Sequence, residues 1–109
     1  MPNDSEIVIY QSQDGQAKLD IRLEGETVWL TQAQISELFQ RERSVITKHI
    51  NNVFSERELD EESNVQILHI ANSDKPVSFY SLDVIISVGD RVKSQRGVQF
   101  RLWASGIIK

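Results

Sequence analysis

The sequence contains no cysteine and only two prolines among its 109 residues. The lack of cysteine excludes disulfide bonds, thiolate zinc sites and a cysteine nucleophile, and it suits a reducing cytoplasm. No run of about 18 apolar residues is present, so no transmembrane helix is predicted. The first residues, MPNDSEIVIY, lack the basic start and apolar core of a signal peptide. We therefore expect a cytoplasmic protein that does not associate with a membrane.

Basic residues are in the minority, with 12 Lys and Arg against 16 Asp and Glu and a formal net charge of −4. An acidic protein is at first sight a poor partner for nucleic acid, which attracts cationic surfaces. The charges are, however, segregated along the chain. Residues 31–54 carry three basic and two acidic residues, and residues 81–109 carry five basic and two acidic residues. These two segments could form one basic face.

Residue periodicity predicts a single α+β domain over residues 1–109 that begins with an antiparallel β-meander. A β-branched and aromatic run ends at Tyr10, and Asp14-Gly15 is a typical turn. From Ala17 to Glu24 apolar and polar residues alternate, as in a strand with one buried face. A third strand is predicted from Thr27 to Leu30.

Two short helices are predicted next, in the spacing of a helix-turn-helix. Thr31 is the predicted N-cap of the first helix, with Gln34 at the third position of a capping box. The second helix runs from about Arg43 to about Phe54. Gln40 stands in the connecting turn, where a glycine is usual, and this leaves the geometry of the turn open.

A β-hairpin and two closing helices complete the predicted fold, so that the arrangement is winged-helix-like. The hairpin strands are predicted at Val65–Ala71 and Val77–Tyr80. Ser81 is expected to cap a helix that ends at Gly89, and a last helix begins near Gln95. The apolar stripe of that helix continues to the end of the sequence, as expected for the N-terminal part of a longer protein. We also expect Trp29, Phe39, Ile50 and Phe100 to share one core.

The second helix of the pair has a polar face that suits the major groove of DNA. Its apolar residues fall on one arc, and small or basic side chains fall on the opposite arc. Arginine and lysine can meet phosphates or guanine, hydroxyl groups can donate to bases, and asparagine can bond an adenine edge. The predicted DNA-binding residues in this region are Arg41, Arg43, Ser44, Thr47, Lys48 and Asn51. An ordinary helical hairpin with a solvated face remains the alternative.

Two further segments are candidates for contacts with the DNA backbone. Arg91, Lys93 and Arg96 cluster before the last helix, where a helix N-terminus would favour phosphate. The tip of the predicted hairpin, Asn72 to Lys75, could reach the sugar-phosphate backbone. Each segment also has an alternative interpretation without DNA contact. The basic segment could be a solvated connector, and the hairpin could have only a structural role.

Patterns of catalytic residues are lacking. His49 and His69 are isolated, and no phosphate loop, nucleophile elbow or two-histidine metal motif is present. The acidic residues 56–62 lack a base partner and a calcium-loop pattern. We therefore expect no enzymatic activity, no metal and no cofactor.

Two long blocks of the sequence resemble the virulence RhuM family. They are TVWLTQAQISELFQRERSVITKHINNVF, from Thr27 to Phe54, and FYSLDVIISVGDRVKSQRGVQFRLWAS, from Phe79 to Ser105. The second block is also loosely similar to the closing helices of phage antirepressor BRO-N domains. The resemblance implies a DNA-binding-type domain from a bacterial genomic island.

The sequence thus predicts a DNA-binding regulatory domain, a transcriptional regulator that places a helix-turn-helix in the major groove of double-stranded DNA. A homodimer that binds two half-sites is usual for such a module. The alternative is a protein-interaction module, resembling an antirepressor or a toxin partner, that uses the same helices to hold another protein.

Overall fold

The computed structural model describes residues 5–69, 71 and 74–108, and it shows an α+β fold in which these residues form five β-strands and five helices. The predicted fold class is therefore confirmed. In chain order the elements are β1 (Glu6–Gln11), β2 (Lys18–Glu24), β3 (Thr27–Thr31), α1 (Gln32–Phe39), α2 (Arg43–Ser55), α3 (Glu61–Asn64), β4 (Val65–His69), β5 (Pro76–Ser81), α4 (Leu82–Val92) and α5 (Gln95–Ile107).

All five strands belong to one sheet in the order β1-β2-β3-β5-β4, with antiparallel neighbours throughout. The predicted N-terminal meander is confirmed. The hairpin β4–β5 is joined to the meander because β5 pairs with β3, where Leu30 lies opposite Tyr80. The hairpin is thus one half of a larger sheet, and a winged-helix arrangement stays a prediction.

The main core lies between the helices and one face of the sheet. Phe39, Ile50 and Phe100 belong to one buried cluster, as expected. Trp29 is buried as well, with 6% of its surface exposed, but it is not part of that cluster. Side chains alternate along a strand, so Trp29 points to the face opposite Val28. There it lies beside Arg22, its partner on β2.

The prediction that α4 ends at Gly89 is wrong. The helix continues to Val92, and Lys93 takes the left-handed conformation that closes it, with φ 55°. Gly89 lies instead where α4 passes close to α5. A Cβ atom at Gly89 would lie 3.1 Å from Cζ of Phe39 and 3.3 Å from Cα of Gly97. The glycine therefore serves helix packing, and Arg91 lies in the last turn of α4 rather than in a linker.

Within the described part of the chain, no helix combines the length and apolar character needed to cross a membrane.

Candidate nucleic-acid interface

The start of α1 is fixed by the predicted capping box. The hydroxyl of Thr31 accepts from the backbone N–H of Gln34 at 3.1 Å, and the Gln34 side chain accepts from the Thr31 N–H at 2.9 Å. Nε2 of Gln34 also donates to the carbonyl of Asp20 at 2.7 Å. The N-terminus of α1 is thereby tied to β2, which orients the helix pair on the sheet.

The turn between α1 and α2 forms without the glycine that is usual there. Gln40 adopts the left-handed conformation, with φ 54° and ψ 49°. The N–H of Arg41 donates to the carbonyl of Ser36 at 3.1 Å, as in a Schellman motif. Nε2 of Gln40 donates to the carbonyl of Glu37 at 2.7 Å. The turn is therefore short, and only residues 40–42 separate the two helices.

The two faces of α2 differ as the sequence predicts. Ile46 and Val53 are fully buried and Ile50 is 3% exposed, so this face is anchored in the core. Of the predicted DNA-binding residues within α2, Thr47 is half-buried, and Arg43, Ser44, Lys48 and Asn51 are exposed. Arg41 lies in the turn before the helix and is exposed as well. The Thr47 hydroxyl donates to the carbonyl of Arg43 at 2.8 Å. Thr47 is therefore partly committed to its own helix.

A cleft of about 390 Å³ lies beside the start of α2. Its walls come from the beginning of α1, from Arg43 and from strand β5, with Ser78 and Tyr80 as polar members. Nε2 of Gln32 donates to the carbonyl of Arg43 at 3.3 Å and so links the first turns of the two helices. The cleft therefore places the Arg43 cation and the hydroxyl groups of Ser78 and Tyr80 beside the N-terminus of α2. In helices that bind the major groove, the N-terminal residues contact the base edges.

Arg91 is held at the other end of α2. Its Nη2 donates to Glu56 at 2.8 Å and to Glu58 at 2.9 Å. The hydrogen bonds to Glu56 and then Glu58 raise the pKa of Arg91. Glu56 is the C-cap of α2 and lies about 20 Å along the helix axis from Arg43. The structure does not bring Arg91 together with the cations at the start of α2.

Arg96 is also engaged within the chain. Its Nη1 donates to the carbonyl of Leu38 at 3.2 Å, and its Nη2 forms an ion pair with Asp14. The guanidinium thus lies at the end of α1, close to the turn. Lys93 is exposed and occupies the left-handed position between α4 and α5. Phosphate contacts by Arg91, Lys93 and Arg96 stay a prediction. At Arg91 and Arg96, a phosphate would have to compete with the carboxylates that already bind these side chains.

Half of the predicted hairpin tip, Asn72 to Lys75, lies outside the described residues, because Asn72 and Ser73 are not among them. Sequence reasoning missed Gln32, Ser78 and Tyr80 as members of the cleft. Only the pairing of β5 with β3 brings Ser78 and Tyr80 to the start of α1, and no local pattern encodes that pairing.

A family model, the Virulence protein RhuM family, matches residues 57–109. The predicted resemblance to the RhuM family is confirmed. The matched range covers α3 to α5 with the hairpin between them, and it comprises just under half of the chain. The helix pair α1–α2 lies before the RhuM match. No curated protein and no solved structure matches the chain.

Proposed function

We propose that this RhuM-type domain binds double-stranded DNA in transcriptional regulation, with α2 in the major groove, and that it is not an enzyme. The observation that carries the proposal is that α2 has one buried apolar face and one exposed polar face. Its inner face is fixed by Ile46, Ile50 and Val53, while Ser44, Lys48 and Asn51 form one exposed polar stripe. The short Gln40 turn and the capped α1 brace this helix from behind, as a helix-turn-helix requires.

The local charge supports this placement although the whole chain is acidic. Three exposed cations, Arg41, Arg43 and Lys48, lie at the start of α2 or on its polar stripe. The neighbouring cleft gives a strand of the DNA backbone room beside Arg43 and Tyr80. Phosphate contacts position a protein on DNA, and base contacts from the same helix then give sequence preference.

A salt titration of binding to mixed-sequence duplex DNA tests the proposal. Three phosphate contacts predict a slope of log K against log salt of about −3. Replacing Arg43 and Lys48 together by alanine should reduce the slope by about 2. Lys18→Ala is the matched control, because Lys18 is exposed on the sheet face away from the helices. If the protein does not bind duplex DNA, or if its affinity does not change with salt concentration, the DNA proposal is rejected.

The second candidate is a protein-interaction module that uses the same helices. The net charge of −4 and the internal pairing of Arg91 and Arg96 favour it, because both reduce the attraction for phosphate. Val45, which is 37% exposed at the start of α2, would give a protein partner an apolar contact. In this case mixed-sequence DNA should not bind, whereas Val45→Ala should weaken binding to the partner.

A further inference from the structure

Two exposed isoleucines lie side by side on the first strand of the sheet. Ile7 is 62% exposed and Ile9 is 61% exposed, and both point to the sheet face away from the core. Among the described residues only a few large apolar side chains are exposed, and the others are Val45, Ile67, Val98 and Leu102. β1 is the only described strand that carries two of them on one face.

β1 is also an edge strand with few of the features that prevent pairing with another chain. The sheet order places it at one end, and no described strand occupies its outer edge. Natural edge strands are often protected by lysine, proline or a bulge. β1 contains neither residue type, and its register with β2 is unbroken from Glu6 opposite Leu23 to Gln11 opposite Lys18.

The spacing of the two isoleucines is self-complementary. If two copies of β1 pair antiparallel about a two-fold axis through Val8, Ile7 of each copy lies opposite Ile9 of the other. The four side chains then share one face, because opposite residues in a ladder point the same way. Glu6, the charged residue of the strand, falls opposite Tyr10 of the second copy, so acidic side chains do not face each other.

The flanking charges fit the same register. On the exposed face Ile7 has Arg22 as its neighbour on β2, and Ile9 has Asp20. In the dimer, these side chains would form two rows that cross the joined sheets perpendicular to the strands. Each row would contain Arg22 and Ile7 of one copy, followed by Ile9 and Asp20 of the second copy. Each row has a cation at one end and an anion at the other, and no two like charges meet.

We propose that this protein forms a two-fold symmetric dimer in which β1 pairs antiparallel with β1 of a second copy about Val8, joining the two sheets. The occupant of the edge is thus a second copy of this chain. The surface lies on a different element from α2, so the proposal goes beyond DNA binding and its test does not depend on DNA.

Sedimentation velocity of the full chain across a concentration series tests the dimer. We expect the unmodified protein to sediment as a dimer, and the Ile7→Lys, Ile9→Lys double variant to lose the dimer and halve its mass. Ile67→Lys is the matched control, because Ile67 is 63% exposed at the centre of β4, the other edge strand. This control should remain dimeric, and circular dichroism should show that both variants are folded.

A monomeric unmodified protein overturns the proposal, and so does a dimer that survives the double variant. Loss of the dimer in Ile67→Lys alone would place the interface on β4 and would also overturn it.

A single introduced cysteine tests the register, because the natural chain has none. Residues opposite each other in an antiparallel pair have Cα atoms about 4.5–5.5 Å apart, within the range of a disulfide. Val8→Cys should therefore form a covalent dimer on oxidation, whereas Ile67→Cys should not. A dimer in which Val8→Cys fails to cross-link overturns antiparallel pairing about Val8.

Discussion

Asn51 is the side chain that best separates base readout from simple attraction to DNA. It is exposed on the polar stripe of α2 and carries no charge. If it pairs with adenine, Asn51→Ala should cost about 1–3 kcal/mol on the preferred site. Its effect on non-specific binding and on the salt slope should be small, since no phosphate contact is lost.

Selection of preferred sites from random duplexes measures this effect. The variant should lose its preference at one base position. Ser55→Ala, on an exposed residue in the last turn of α2, is the control and should keep the motif. If Asn51→Ala, Thr47→Ala and Lys48→Ala all leave the selected motif unchanged, α2 does not read DNA.

Gln40 is a second residue whose environment makes a clear prediction. A side chain in the left-handed conformation costs about 1–2 kcal/mol relative to the right-handed one, and glycine avoids this cost. Gln40→Gly should stabilise the protein by a smaller amount, about 0.5 kcal/mol, because glycine also gains entropy in the unfolded chain. The side-chain hydrogen bond to Glu37 is lost as well.

Urea unfolding of Gln40→Gly and of Lys93→Gly measures the gain. Lys93 closes α4 with φ 55°, nearly the φ of Gln40. The Lys93 side chain forms no hydrogen bond with the described residues, so its replacement loses no such bond. Lys93→Gly should therefore raise the urea midpoint by at least as much as Gln40→Gly. A lower midpoint for both variants would contradict the left-handed assignment at these helix ends.

At the scale of helices, the close approach of α4 and α5 depends on Gly89 and Gly97. In a helix interior alanine is favoured over glycine by about 1 kcal/mol. At Gly89, however, the added methyl group would press on the Phe39 ring and on the backbone of Gly97, and Phe39 is only 1% exposed and cannot move away. We therefore expect Gly89→Ala to lower the free energy of unfolding by about 1–3 kcal/mol.

The matched control is Gly106→Ala. Gly106 lies in α5, and a Cβ atom there would contact none of the described residues beyond its chain neighbours and the backbone of its own helix. Alanine should therefore be neutral or stabilising at this position. The two urea midpoints should move in opposite directions. A rise for Gly89→Ala would show that the helices can separate without loss of packing.

Local sequence signals predicted the elements well where the decisive contacts are local. The capping box at Thr31, the alternation in β2 and the arcs of α2 each depend on neighbours within a few residues, and all three are observed. The preference of glycine for the end of a helix predicts that role for Gly89. Its actual role depends on Phe39, fifty positions away along the chain, which no local pattern reveals.

The candidate site could be predicted only in part, for the same reason. The exposed stripe of α2 follows from helical periodicity, and Ser44, Lys48 and Asn51 lie on it as expected. The binding of Arg91 to Glu56 and of Arg96 to Asp14 joins residues far apart in sequence. Charge clustering alone could not show that these cations already have acidic partners.

At the scale of the whole molecule, several carboxylates have pKa values that favour the folded state at neutral pH. Hydrogen bonds from Ser87 and then Arg91 lower the pKa of Glu58, and those from Ser63 lower the pKa of Asp60. The carboxylates of Glu58 and Asp60 thus bind protons less tightly in the folded state than in the unfolded chain. Their contribution to stability is complete above the ordinary values of 4.5 and 3.8 and is lost as the pH falls through the lowered values.

The urea midpoint should therefore fall in strongly acidic solution. Glu58→Gln should make this fall smaller, because it removes one of the groups that must be protonated. Glu62→Gln, on an exposed residue in the first turn of α3, is the control and should unfold with the acid dependence of the unmodified protein. Equal acid dependence in all three proteins would contradict the role of Glu58.

His49 should produce an earlier stage of acid destabilisation. Burial first, then the positive charges of Arg91 and Lys48, lower its pKa from the ordinary value of 6.5. Below that value the unfolded chain takes up a proton that the folded protein resists, so stability falls until the lowered folded value is passed. The urea midpoint should therefore begin to decline as the pH falls below 6.5, the ordinary pKa of histidine. His49→Gln should remove this decline, whereas His69→Gln, on an exposed residue of β4, should keep it. A decline that persists unchanged in His49→Gln would assign the early stage to another group.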